Sequence, residues 1–223
     1  MKAGKLGVVK GNFDKISDMD RIIDQGDENL HQCIEVQREL KTDQGIPLYE
    51  GRAAVETIEE REQVDISDGE ITQKQTPTKV TKYTRFLSCP GEFVVAGDSS
   101  GVFVFDLIAS QHPSATVIES EFDLRGYLLE QENADPWKAG FYGKSGKAEN
   151  GVIHGDQVFD DSDFGEVVGD CQLNQIGLQI KDETSKIKMT AAESGYIEVY
   201  QPSDFSSEEF ADYILNNVIH HLD

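Results

Sequence analysis

No run of 18 apolar residues occurs in the chain, so no segment reads as a membrane-spanning helix. Met1 to Lys10 lacks the apolar core of a secretory signal. Cysteine is scarce: Cys33, Cys89 and Cys171 lie far apart, are odd in number and form no C-x-x-C pair. That excludes a disulfide framework and a cysteine zinc site, and leaves buried or half-buried thiols in a reducing cytosol as the expectation. Phosphate loops, dinucleotide fingerprints and nucleophile elbows are missing too. Gly140, Gly143 and Gly146 recur at steps of three, which fits none of these motifs, and Ser194-Gly195 belongs to a turn. No 20–50-residue repeat stands out.

Positive charge is the remaining shortage. Lys and Arg number 20 against 42 Asp and Glu, a net charge of −22 over 223 residues. Most of such a surface repels nucleic acid and anionic membrane. Carboxylates hold water, and molar salt screens their mutual repulsion within a few Å. This is the composition of a cytoplasmic protein of a salt-in halophile. Eleven Phe and seven Tyr supply a core, which argues against disorder throughout.

The apolar pattern predicts an α+β fold. Ile16, Met19, Ile22, Ile23, Leu30, Cys33, Ile34 and Leu40 recur at steps of three and four, which suggests a helix interrupted near Gln25-Gly26. Residues 53–61 have helical propensity, and Val64 to Ile66 alternates like a strand. A central antiparallel sheet follows, with a hairpin over 92–107 whose tip is Gly97 to Gly101. Residues 116–122 form a strand, and 124–131 and 163–173 form helices. Residues 176–180, 186–190 and 196–200 form a three-stranded meander. An amphipathic helix closes the chain, with Ser206 and Glu209 as a capping box and Phe210, Tyr213, Ile214 and Val218 as its stripe. His220 and His221 sit in its last turn, where positive rings suit the dipole. A loose boundary near residue 112 divides a helix-plus-sheet half, 1–112, from an α+β half, 113–223.

The local charge pattern is uneven. From Ile71 to Gly91 there is no acid, while Lys74, Lys79, Lys82 and Arg85 give +4. From Pro136 to Ala148 there is again none, while Lys138, Lys144 and Lys147 give +3. Tyr83 and Phe86 accompany the first window, and Trp137, Phe141 and Tyr142 the second. Bases beside stacking rings compose a single-stranded nucleic-acid surface, for which Lys79, Lys82, Arg85, Trp137, Lys138, Tyr142, Lys144 and Lys147 are the candidates. Strands also avoid acids and guard their edges with Lys, which explains the same windows without a ligand.

A second cluster, His154, Asp156, Asp160 and Asp163, offers one imidazole and hard oxygens to Mg²⁺ or Mn²⁺. Acids at a helix start need only the macrodipole to explain them. The functional expectation is a non-catalytic interaction or accessory module with a protein partner, no cofactor and no membrane, in contact with single-stranded nucleic acid if the two windows share a face. The competing reading is a metal-dependent hydrolase or nuclease using the His154 cluster.

Two resemblances rest on particular segments. Phe93 to Leu107 resembles one hairpin of a WD-repeat propeller blade, but it occurs once and a propeller needs several copies. Pro136-Trp137-Lys138-Ala139-Gly140-Phe141-Tyr142-Gly143 and Ser194 to Phe205 are similar to segments of an uncharacterised haloarchaeal protein family. That resemblance covers at most the C-terminal half, implies no activity and agrees with the halophile setting.

Overall fold

The computed structural model describes residues 1–26, 28–131, 133–145, 148–160, 165–181 and 186–223, with the backbone alone for 144, 145, 148 and 166–168. Its strands are β1 (Ala3–Gly11), β2 (Met19–Gln25), β3 (Glu28–Lys41), β4 (Pro47–Ser67), β5 (Glu70–Cys89), β6 (Phe93–Ala96), β7 (Ala115–Glu119), β8 (Ala134–Ser145), β9 (Ala148–His154), β10 (Gln172–Lys181), β11 (Lys186–Ala192) and β12 (Tyr196–Gln201). The helices are short: α1 (Phe103–Ala109), α2 (Leu124–Glu130), α3 (Gly165–Asp170) and α4 (Ser207–Tyr213). α4 runs on as a π turn over Ile214–Val218 and a 3-10 turn over Ile219–His221.

All twelve strands join one antiparallel sheet in the order β2-β3-β4-β5-β6-β1-β12-β11-β10-β8-β9, with β7 continuing the edge of β1 where β12 ends. Strand makes up 59% of the chain and helix 18%, so the α+β expectation is overturned in favour of a mostly-β protein.

The largest departures lie in the N-terminal half and have a physical cause. Leu30 and Ile34 are four residues apart, and a step of four keeps a side chain on one face of a helix and on one face of a strand alike. The chain resolves that ambiguity as the β2–β3 hairpin, turning at Gly26 (φ 72°). Residues 53–61 likewise join β4, where pairing with β5 throughout, and with β3 as far as Val55, overrides helical propensity. The expected hairpin over 92–107 is replaced by β6 followed by helix. Asp98 accepts hydrogen bonds from the Ser100 and Gly101 amides and starts a 3-10 turn that leads into α1. Val104, Phe105 and Ile108 are then buried at helical spacing.

The helix expected over 163–173 is α3 (Gly165–Asp170) among the described residues, and Gln172 and Leu173 belong to β10 instead. Two other expectations agree with the backbone. β10, β11 and β12 form the expected meander. The Ser206–Glu209 capping box is made in both directions.

Alternation along the strands sorts the core onto two faces. On β6, Phe93 and Val95 point one way, and Val94 and Ala96 the other. The first face continues through Leu6, Leu178, Met189, Ile197 and Val199, and is covered by Tyr127 of α2 and by Phe210, Ile214 and Val218 of the C-terminal helical segment. The second is covered by α1 and by Phe13 and Ile16, packed on Val9, Ala53 and Phe86. β6 is therefore a fully buried central strand. Cys89 and Cys171 are buried free thiols, and burial pushes the Cys89 thiol up to about 12; Cys33 is exposed. Among the described residues no helix is long and apolar enough to cross a membrane.

Candidate functional site

The two acid-free windows lie on different strands of the sheet. Lys79, Lys82 and Arg85 are on β5, and Trp137, Lys138 and Tyr142 are on β8. Six strand-to-strand steps separate them, about 29 Å along the sheet at ~4.8 Å per step. Alternation also divides the first group: Lys79 and Arg85 share one face of β5, and Lys82 takes the other. The Lys144 side chain and Lys147 lie outside the described residues.

The first window lacks acid because β4 carries its counter-charges. Lys74 pairs with Asp65 at 3.1 Å, Lys79 with Glu56 at 2.8 Å, Lys82 with Glu59 at 3.0 Å and Arg85 with Glu50 at 3.0 Å. The +4 that stands out in sequence is largely neutralised across one strand pair.

Beyond Val55, β4 has only β5 beside it among the described pairings. Ten residue pairs, from Ile58↔Lys79 to Ser67↔Glu70, extend as a two-stranded ribbon about 35 Å long at ~3.4 Å per residue. Ile66 and Ile71 face each other near its tip, 76% and 69% exposed, with Val64 exposed on the same face. Asp65, Asp68 and Glu70 rim this apolar tip.

The second window contains a feature invisible in sequence. Lys138 pairs with Gly177 and Pro136 with Leu178, so Trp137 is the extra residue of a β-bulge. The bulge turns Trp137 onto the same face as Lys138 instead of the opposite one. Its indole lies over Gly177, where an added Cβ would come within 2.7 Å of the ring. Lys188 Nζ sits 4.6 Å from the ring centroid, a cation–π contact, and Tyr200 meets the ring edge-on. Tyr142 is exposed and its hydroxyl donates to Glu193 at 2.9 Å, while Phe141 is in the core.

Asp135, Trp137, Asp156, Gln157, Gln179 and Lys188 line a pocket of about 270 Å³ beside this face. The Lys181 ammonium holds the Asp135 carboxyl below the usual carboxylate range.

Part of the His154 cluster borders the same pocket. His154 pairs across from Lys138 on β9 with its ring 6.1 Å from Trp137, and Asp156 lines the pocket wall. Asp160 is exposed, and Asp163 lies outside the described residues. Among the described residues, His154, Asp156 and Asp160 do not bring ligand atoms to one point.

A larger cleft, about 620 Å³, opens at the root of the ribbon between Lys2, Tyr83, Arg85, Asp98, Glu198 and Phe205. Behind it, Glu50 is 3% exposed and bonded to Arg38, Arg85, the Met1 ammonium and the Ser207 hydroxyl. Burial pushes its carboxyl up, but the Arg38 hydrogen bond, the Met1 charge and Ser207 outweigh that and hold it below its ordinary value. Glu50 belongs to no motif. Its only trace in sequence is a lone acid after Leu48-Tyr49.

The chain matches no model of a known protein family and no curated protein sequence.

Proposed function

We propose that this chain is a non-catalytic interaction module of a concentrated-salt cytoplasm, and that the β4–β5 ribbon is its grip on a protein partner. The exposed Ile66–Ile71 pair at the ribbon tip carries this reading. A lone two-stranded ribbon is marginally stable in water. Apolar side chains at its end add nothing to the packed core and favour association. The acidic rim selects an apolar groove bordered by basic residues.

The test is Ile66→Thr/Ile71→Thr, which keeps β-branched residues in the ribbon and removes the apolar tip. The variant should unfold at the wild-type midpoint and lose a partner captured by the wild type from high-salt extract. Equal capture by both proteins refutes the role of the tip.

A second reading has its own observation, the bulge that sets Trp137 beside Lys138 and Lys188. Here the β8 face contacts single-stranded nucleic acid, with a base displacing the Lys188 ammonium from the indole. Trp137 is the sole tryptophan, so a single-stranded oligonucleotide should quench the protein's emission, less so as salt rises. Lys138→Gln/Lys188→Gln should abolish the quenching. No quenching even at low salt removes this reading.

A further inference from the structure

We propose that Glu130, His220 and His221 form a binding site for a divalent transition-metal ion of the zinc class. The three residues come from two segments 90 positions apart, and their ligand atoms all lie within 4.8 Å of one another. His221 Nε2 is 3.1 Å and His220 Nε2 3.7 Å from the same oxygen, Glu130 Oε2. Ligands about 2.0–2.1 Å from a tetrahedral ion are about 3.3–3.4 Å apart, and the two observed separations bracket that value.

Neighbouring residues of a regular helix project about 100° apart, so two consecutive rings do not ordinarily reach one carboxylate. Here both histidines lie in the 3-10 turn Ile219–His221 that follows a π turn over Ile214–Val218, outside any regular helix. Such irregular turns recur at functional sites. The rings end with centroids 4.7 Å apart, both beside Glu130.

The frame behind them is rigid. The Asp123 amide donates to the His221 carbonyl at 2.9 Å and the Asp223 amide to the Glu121 carbonyl at 3.0 Å, while Phe122 and Leu222 form a β-bridge between the two segments. His221 is 8% exposed and meets the Tyr127 ring edge-on at 5.4 Å. Tyr127 precedes Glu130 by three residues on α2, so one helix face supplies both the packing surface and the carboxylate.

Two imidazoles and one carboxylate favour zinc, cobalt, nickel or copper over Mg²⁺ and Ca²⁺, which want oxygen alone. His220 is half-exposed, which gives an ion access from solvent and room for a water as fourth ligand. An ion there would pin the C-terminal turn onto α2.

The experiment uses the full chain after chelator treatment, titrated with Zn²⁺ by calorimetry and with Co²⁺ by visible absorption, with Mg²⁺ as the control. The expected result is one saturable Zn²⁺ per chain, a tetrahedral Co²⁺ spectrum, and an unfolding midpoint that rises with Zn²⁺ and is indifferent to Mg²⁺. Glu130→Gln and His220→Gln replace exposed groups and should fold like the wild type. Loss of even an outer-shell partner weakens a metal site by roughly 10–100-fold, so each variant should bind at least about tenfold more weakly. Absence of saturable binding overturns the proposal. So does Zn²⁺ binding that both variants leave unchanged, which would place the ion on surface carboxylates or on Cys33.

Discussion

Glu50 shows what one side chain contributes to this sheet. Its carboxylate is the common acceptor for Arg38, Arg85, the Met1 ammonium and Ser207. Glu50→Gln leaves those cations facing a neutral amide. Breaking a fully buried pair costs about 3–5 kcal/mol, and the half-exposed Arg38 and Arg85 heads reduce this, so a loss of about 2 kcal/mol is expected in urea unfolding. The pH dependence follows from the sign of the shift. The folded carboxyl lies below its unfolded value, so its stabilisation is complete above about pH 4.3 and is lost as pH falls through the folded value. Wild-type stability should fall below about pH 4.3, and the Gln variant should fall less steeply there. Gly177 is a second sensitive position, because the Trp137 indole occupies the space of a side chain. Gly177→Ala should shift the tryptophan emission and cost about 1–3 kcal/mol through overpacking.

The elements divide into those that hold the fold and one that does not. Phe210, Ile214 and Val218 are fully buried on the first sheet face, and the Tyr213 hydroxyl is hydrogen-bonded to that of Tyr127. Each large buried side chain contributes about 1.5–3 kcal/mol. Together they approach the about 5–15 kcal/mol net stability of a typical domain. Truncation after Pro202 should therefore abolish cooperative unfolding in a denaturant titration. The ribbon is the opposite case. Thr57 and Val80 face each other, so replacing 58–79 with Asn-Gly closes β4 and β5 in a tight turn. The thermal midpoint should stay within a few degrees, because the excised residues pair with no third strand and reach β3 through the exposed Lys79 ammonium, which donates to the Asn29 carbonyl. A large drop would show the ribbon to be structural.

At the scale of the whole molecule, charge dominates. A net charge of −22 destabilises a compact state by self-repulsion, and screening relieves it. The thermal midpoint should rise between 0.1 M and 2 M KCl. A flat or falling midpoint contradicts the halophile setting. The outer pairs between β4 and β5 add a distinction: Lys74–Asp65, Lys79–Glu56 and Lys82–Glu59 are open to the same salt and screened by it, so the gain reflects weakened repulsion rather than stronger bridges, whereas Arg85 meets the buried Glu50 and is screened less.

What the sequence determined by itself was local or global, and little in between. The final helix followed from the capping box of Ser206 and Glu209 with the stripe after it, and the meander from alternation between tight turns, because those signals act within a few residues. Net charge is a sum and needs no fold. Tertiary structure decided the rest. The step of four from Leu30 to Ile34 serves a helix or a strand equally, and only pairing with β2 and β4 selects the strand. The basic stretch of β5 looked like a binding surface until β4 laid Glu50, Glu56, Glu59 and Asp65 against it. The direction of Trp137 depends on one extra residue opposite Gly177 and Leu178, which no spacing within β8 announces. Glu130 meets His220 and His221 because the chain returns after 90 residues to lie against α2, a proximity created by the fold rather than by neighbourhood in the chain.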